Sequence, residues 1–203
     1  LEFSNRCRCG CYYCGIRRGK RRGVLRFDLS EEEILRAATF CRESGFGSMT
    51  LQSGERRDRE FVRFVERVIR RIKRETVSTT LPDGLGITLC VGEQSRESYE
   101  RFFEAGAHRY LLRVETTSEE LFARLHPPGQ TLDSRIKALE VIRSIGYQLG
   151  TGVMIGIPGQ SAGDLAGDLR FFRTIDADMI GMGPYLESAA LPESELRRRR
   201  LVP

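Results

Sequence analysis

Apolar positions change period several times along the chain, and each change marks an element. Between residues 30 and 45, Ile34, Leu35, Ala38 and Cys41 recur at three- and four-residue intervals, which lays one stripe along a helix and makes Cys41 a core residue. Ser30 followed by Glu33 supplies a capping box at its start, and the helix ends near Gly45. A second helix starts near Asp58, with Phe61, Val65, Val68, Ile69 and Ile72 on its apolar face and Arg63, Arg67, Arg70 and Arg74 left for solvent. Short runs at 1–5, 48–52, 86–91, 109–115, 148–156 and 178–183 read as strands. Further helices are predicted over 96–105, after Ser118, from a cap at Asp133 to Ser144, and over 161–175, with Pro127-Pro128-Gly129 as the break in the β4–β5 connection.

Strand and helix thus alternate six times, the pattern of parallel strands joined by crossover helices. A closed eight-stranded barrel needs about 250 residues, so 203 suits an α/β fold of six βα units, a partial, TIM-like barrel. Residues 1–186 are expected to form this core and 187–203 a tail that crosses one end of it or stays mobile. The chain opens without methionine and reads as a fragment of a longer barrel. No apolar run approaches the twenty or so residues of a bilayer span, and free thiols without a signal segment point to the cytoplasm. Thirty-three basic residues stand against twenty-eight acidic ones, and arginines gather at 17–22, 67–74 and 197–200. Most interleave with acids, which favours solvated helix faces over a nucleic-acid surface.

The chemistry concentrates in residues 4–15, which hold four of the six cysteines. Cys7, Cys11 and Cys14 are spaced C-x-x-x-C-x-x-C, which wraps three corners of an iron–sulfur cluster and leaves the fourth iron without a protein ligand; Cys9 is the spare member. An open iron suits catalysis, whereas electron carriers fill all four positions. A zinc ribbon would need a second ligand pair, and Cys41 and Cys90 stand alone.

This loop, with Tyr12-Tyr13 between its last two cysteines and Gly15-Ile16-Arg17-Arg18 after them, resembles that of radical S-adenosylmethionine (SAM) enzymes. Within that family, residues 110–116, 146–160 and 178–185 resemble the HydE-type [FeFe]-hydrogenase maturases, relatives of biotin synthase and methylornithine synthase. The resemblance implies a [4Fe-4S] cluster whose open iron chelates SAM, and reductive cleavage of SAM to a 5'-deoxyadenosyl radical. It further implies a small-molecule or organometallic iron precursor as substrate, an electron donor, and other hydrogenase maturases as partners. A methylornithine-synthase-like or biotin-synthase-like enzyme and a non-catalytic iron–sulfur module are the alternatives, with an RNA-modifying radical enzyme behind them.

Ligands of parallel barrels bind at the carboxyl ends of the strands. There strand two brings residues 52–55, strand three Thr88, Cys90 and Glu93, strand four Arg113 and Glu115, strand five Met154 and residues 156–159, and strand six residues 181–184. Alternation puts Leu111, Arg113 and Glu115 on one face, where a mutual salt bridge is the plainest reading of the charged pair. The resemblance implies that Gln52, Ser53, Gly54 and Glu55 meet the SAM amino group, Arg135 its carboxylate and Glu115 its ribose hydroxyls. Tyr13, Ile157 and Pro158 would border the adenine, and Thr88 and Arg113 the substrate cavity. Cys90 stands where a small hydroxyl residue is expected, and His108 and His126 read as structural.

Overall fold

The computed structural model describes residues 1–19 and 23–202; Lys20, Arg21 and Arg22 of the basic segment 17–22, and Pro203 of the tail, lie outside the described residues. Strands β1 (Glu2–Ser4), β2 (Ser48–Ser53), β3 (Gly86–Cys90), β4 (Arg109–Leu111), β5 (Gln148–Ile155) and β6 (Met179–Pro184) form one sheet in sequence order, each pair parallel. Helices α1 (Glu31–Glu43), α2 (Arg59–Glu75), α3 (Arg96–Glu104), α4 (Glu119–Leu125) with α5 (Leu132–Ile145), and α6 (Ala162–Thr174) make the crossovers; α7 (Glu193–Arg198) follows β6. An order that never reverses, with β1 and β6 at the two edges, is the expected six-unit partial barrel.

Side-chain alternation divides the sheet into two faces. Leu51 pairs with Leu89, and both are buried under the helices with Ile34, Val65, Ile69, Ile72, Tyr110 and Leu149. Their neighbours Gln52 and Cys90, also paired, face the concave side, and Gln52 is exposed because six strands do not enclose that side. The capping box at Ser30 forms as the sequence predicts. Helix α5, in contrast, is capped by Thr131, whose side chain accepts from the Ser134 amide; Asp133 lies in the first turn, where its charge still suits the helix N-terminus.

Strand four is shorter than its sequence suggests. The ladder stops at Leu111, the Thr151 hydroxyl stands in for it between Leu112 and Val114, and the regular pairing with β5 resumes at a bridge between Glu115 and Val153. Glu115 takes a left-handed backbone angle, φ 68°, which a non-glycine residue adopts at a cost of roughly 1–3 kcal/mol. The tail contains α7, which the sequence pattern does not reveal. Leu191, Leu196 and Leu201 from the tail join Leu121, Leu125, Met154 and Ile157 in a second, smaller core, against which Tyr12 and Tyr13 pack. Arg17 pairs with Glu195 at 2.5 Å, and the Arg199 guanidinium lies 3.8 Å from the Tyr12 ring centroid.

Helix-side packing also fixes the strand ends. Tyr99, Tyr110 and Tyr147 are fully buried, and Tyr110 meets both of the others edge to face at 5.0 and 5.6 Å. The Tyr110 hydroxyl donates to the Gly92 carbonyl at 2.7 Å, and the Tyr99 hydroxyl accepts from the Gln94 amide at 2.9 Å. The turn after β3 is therefore held on both sides of Glu93.

Strands β5 and β6 meet through paired glycines, Gly152 and Gly181. A Cβ on Gly152 would collide with the Gly181 carbonyl, whereas one on Gly183 meets open space. Gly152→Ala is expected to lower stability by about 1–3 kcal/mol in urea denaturation. Gly183→Ala is expected to stay within about 0.5 kcal/mol of the parent.

Candidate functional site

The cysteine loop leaves β1 and is clasped by the end of β2. Gly54 N donates to the Ser4 carbonyl at 3.0 Å and Arg8 N to the Glu55 carbonyl at 2.9 Å. Glu55 N donates to the Cys7 sulfur at 3.3 Å, as does Cys9 N at 3.4 Å. Gly54 is obligatory, since a Cβ there would strike the Arg6 carbonyl and lie 2.7 Å from the Cys7 Cβ. Further on, Tyr12 N donates to the Leu125 carbonyl at 2.7 Å and Arg18 N to the Cys9 carbonyl at 2.6 Å. Arg26 braces the loop's exit by donating to the carbonyls of Ile16 at 2.9 Å and Arg17 at 2.7 Å.

All four loop cysteines are free thiols and half-buried. Cys9, followed by burial, pushes the Cys7 thiol well up; Cys11 does the same to Cys9, and burial raises Cys14. Thiols crowded in this way need a cation before they ionise. Among the described residues no three His, Cys, Asp or Glu side chains converge on one ion. A mononuclear zinc site requires that convergence, whereas a cubane, in which each thiolate takes its own iron, does not.

Behind the loop, the ends of β2, β3 and β4 carry a chain of alternating charges. Arg57 reaches Glu55 at 2.9 Å and Glu93 at 3.2 Å; Glu93 holds Arg135 at 2.6 Å; Arg113 holds Glu115 at 3.1 Å. Arg135 links the two pairs by donating to the Arg113 carbonyl, while Arg113 also donates to the Val153 carbonyl at 2.8 Å. Glu93 N donates to Glu55 at 2.9 Å, and Gly92 leaves room for that carboxylate, which a Cβ would meet within 2.7 Å. The Arg135 side chain is only 9% exposed. Burial draws its pKa down, yet the adjoining Glu93 charge overrides this and holds it above the ordinary value.

The remaining candidates fall around this chain of charges. Tyr13 stands over His126 at 5.6 Å, edge to face, and burial followed by the Glu115 charge raises its pKa. Ile157 is buried in the smaller core, and the Pro158 carbonyl accepts from Arg124 at 2.7 Å. Ser53 is nearly buried, and Gln52 pairs in register with Cys90. Burial and then Glu115 push the Cys90 thiol up to about 11, so it is neutral at pH 7. Thr88, buried halfway along β3, lies a full turn of the pleat below these groups. Arg57 pairs locally only with Glu55, its bonds to Glu93 lying 36 residues away, and the carbonyls that Arg26 meets at the loop's exit are 9 or more residues away, so neither has a strong local sequence signal. Glu93 is legible only as a charge at a strand end.

Removing the acid from the Glu93–Arg135 pair strands a buried guanidinium. Glu93→Ala is expected to cost about 3–5 kcal/mol in urea unfolding, and Glu93→Gln less, because the amide oxygen still accepts. His126 gives a pH signature. Its Nδ1 lies 3.0 Å from the Phe122 carbonyl and so carries the proton, while Nε2 is buried without a partner among the described residues. Burial, then Arg135, lowers its pKa from 6.5 to about 4. The folded protein thus keeps the ring neutral where the unfolded chain protonates it. Stability present above pH 6.5 is expected to fall by up to ~3 kcal/mol as pH drops through 6.5 to about 4, and His126→Gln to flatten that part of the curve.

Comparison with known proteins places this geometry. The chain is 37% identical over 193 residues to the [FeFe] hydrogenase maturase subunit HydE of Thermotoga maritima, covering 95% of this chain and 52% of that protein. The crystal structure of methylornithine synthase (PylB) superposes with a TM-score of 0.80 at 27% identity, over 95% of this chain and 54% of that one. The FeFe-hydrogenase maturase HydG of Carboxydothermus hydrogenoformans shares the fold, with a TM-score of 0.79 at 23% identity over 94% of this chain and 44% of that one. The chain spans about half the length of the curated relatives it matches. Residues 1–172, from the first strand through most of α6, match the Radical SAM superfamily, and the chain belongs to that family.

Proposed function

We propose that the chain is the core of an enzyme that binds a [4Fe-4S] cluster and SAM and cleaves SAM reductively. Family membership implies both cofactors, and the observation that carries the reading is the meeting of the clasped cysteine loop with the alternating charges at one end of the sheet. Cys7, Cys11 and Cys14 hold the cluster in this proposal. When bound, the cluster supplies the electron that breaks the sulfonium bond of SAM to give the 5'-deoxyadenosyl radical.

The protein's own residues orient and shield. Arg135 offers its guanidinium to the SAM carboxylate, for which the bidentate fork is suited. Gln52, Ser53, Gly54 and Glu55 line the amino-group side, with the Gly54 segment already fixed against the loop. Glu115, turned by its unusual backbone angle, receives the ribose hydroxyls. Tyr13, Ile157 and Pro158 border the adenine, and Arg113 and Thr88 the substrate cavity. The core domain spans 1–186, and the tail after it packs on Tyr12 and Tyr13 of the cysteine loop through Leu191, Leu196 and Leu201.

For the substrate we infer hydrogenase cofactor assembly on a small iron precursor, supported by the likeness to HydE. That role brings an electron donor and other maturases as partners, in the cytoplasm. The likeness to methylornithine synthase favours carbon-skeleton rearrangement as a second reading; turnover of lysine rather than an iron precursor would select it. No helix among the described residues is long and apolar enough to cross a membrane. Ion pairs to Glu31, Glu32, Glu66 and Glu75 occupy Arg67, Arg70 and Arg71 of α2 and favour a solvated helix face over an RNA surface.

Anaerobic reconstitution followed by EPR of the reduced protein tests the reading. SAM is expected to change the cluster spectrum, and Cys7→Ala, Cys11→Ala and Cys14→Ala each to abolish it. A spectrum indifferent to SAM, or cluster signal without SAM cleavage, would leave a binding module in place of an enzyme.

A further inference from the structure

Asp168 is fully buried on α6 and takes no part in the function proposed above. We propose that it is a positioning residue for the SAM ribose: through Thr117 it holds the left-handed turn at Glu115, and with that turn the carboxylate that receives the ribose hydroxyls. The proposal rests on the SAM reading given above and adds to it the group that fixes the ribose contact from behind.

Three consecutive peptides carry the inference. Glu115 N donates to the Gly152 carbonyl at 2.9 Å, and the Glu115 carbonyl accepts from Met154 N at 2.9 Å, so β5 fixes the peptides on both sides of this residue. The next peptide leaves β5, and Asp168 takes it: one carboxylate oxygen accepts from both Thr117 N and Thr117 Oγ1, each at 2.7 Å. Thr116 is fully buried, and its hydroxyl accepts from Ser118 N at 3.2 Å. A non-glycine residue persists at φ 68° only where its surroundings over-determine it, and Asp168 is the anchor that another element supplies on the exit from the turn. At the far end of the side chain, Arg113 holds the Glu115 carboxylate at 3.1 Å. Glu115 is thus fixed at its tip by Arg113 and at its backbone by β5 and α6. With an extended backbone the same side chain would leave on another bearing, since φ sets the direction of Cβ relative to the preceding peptide.

Stability alone does not account for this group. The second Asp168 oxygen is buried without a partner among the described residues, and desolvating a carboxylate in that way is costly. A negative charge here also suits the start of α4, which follows at Glu119. That role would stabilise the whole chain, and its loss would weaken every ligand of the site alike.

Titration calorimetry of the anaerobically reconstituted full chain, with SAM and with its 2'-deoxyribose analogue, separates the two roles. In the parent, loss of the hydroxyl is expected to weaken binding about tenfold or more, as for a hydrogen bond to a charged group. Asp168→Ala is expected to bring the two affinities within about twofold, having lost that bond. Asp168→Asn, which keeps an oxygen for Thr117, is expected to restore most of the difference. Thr117→Val removes only the hydroxyl donor and serves if Asp168→Ala does not fold; its ratio is expected to fall below that of the parent. A folded Asp168→Ala or Thr117→Val with the parent's ratio, or Asp168→Asn no better than Asp168→Ala, overturns the positioning role and leaves the SAM reading intact. A parent that binds both ligands equally overturns the Glu115 contact, and one that binds neither overturns the SAM reading; either result removes this proposal as well.

Discussion

Burial of charge at the carboxyl ends of the strands is the constraint on which the site depends. Glu55, Glu93 and Glu115 pair with Arg57, Arg135 and Arg113, and the most buried of these charges, Glu55, Glu115 and Arg135, are tolerable only while their partners are in place. Well-packed apolar residues would stabilise the fold as much or more, so the pairs are weak evidence for stability. They supply instead a polar end to an otherwise apolar sheet, with its charged groups already fixed in position by one another. The tyrosine cluster serves the same end from the helix side, because its hydroxyls hold the two peptides flanking Glu93.

Glycine has a different meaning at two points of this arrangement. Gly92 gives way to the Glu55 carboxylate, and Gly54 to the Arg6 carbonyl and Cys7. The family resemblance assigns the Gly54 segment to a ligand. Its Cβ side is in fact filled by the cysteine loop, so this glycine seats the loop whatever else its backbone does. The two glycines therefore couple the charges to the sulfurs: one carboxylate, Glu55, is packed against Gly92 by its side chain and against Cys7 by its amide.

Most of the architecture is legible in the order of residues. Capping at Ser30, Asp58, Ser95 and Ser161 and the stripes of α1 and α2 are local signals, and local hydrogen bonds and helix periodicity decide them. The cysteine spacing likewise announces its chemistry. What is not legible depends on partners distant in sequence. Arg57 and Glu93 become site residues only when β2 and β3 lie side by side, and Arg26 only when its segment returns beneath the loop. Past the early end of β4 the Thr151 hydroxyl accepts from Val114 N at 3.2 Å and donates to the Leu112 carbonyl at 2.9 Å in place of the ladder. Val114-Glu115-Thr116 gives no warning of the left-handed turn at Glu115, since glycine is the usual occupant of that conformation. Helix α7 is too short and too arginine-rich for its apolar residues to establish a period; its identity comes from the small core it completes.

That small core also orders events in time. The Arg17–Glu195 pair joins residues 178 positions apart, so the leucines that cover Tyr12 and Tyr13 are synthesised well after the loop they cover. During synthesis the cysteine loop precedes its outer wall by five strands of the sheet. A nascent chain therefore presents these sulfurs open to solvent until a segment far along the sequence has folded onto them.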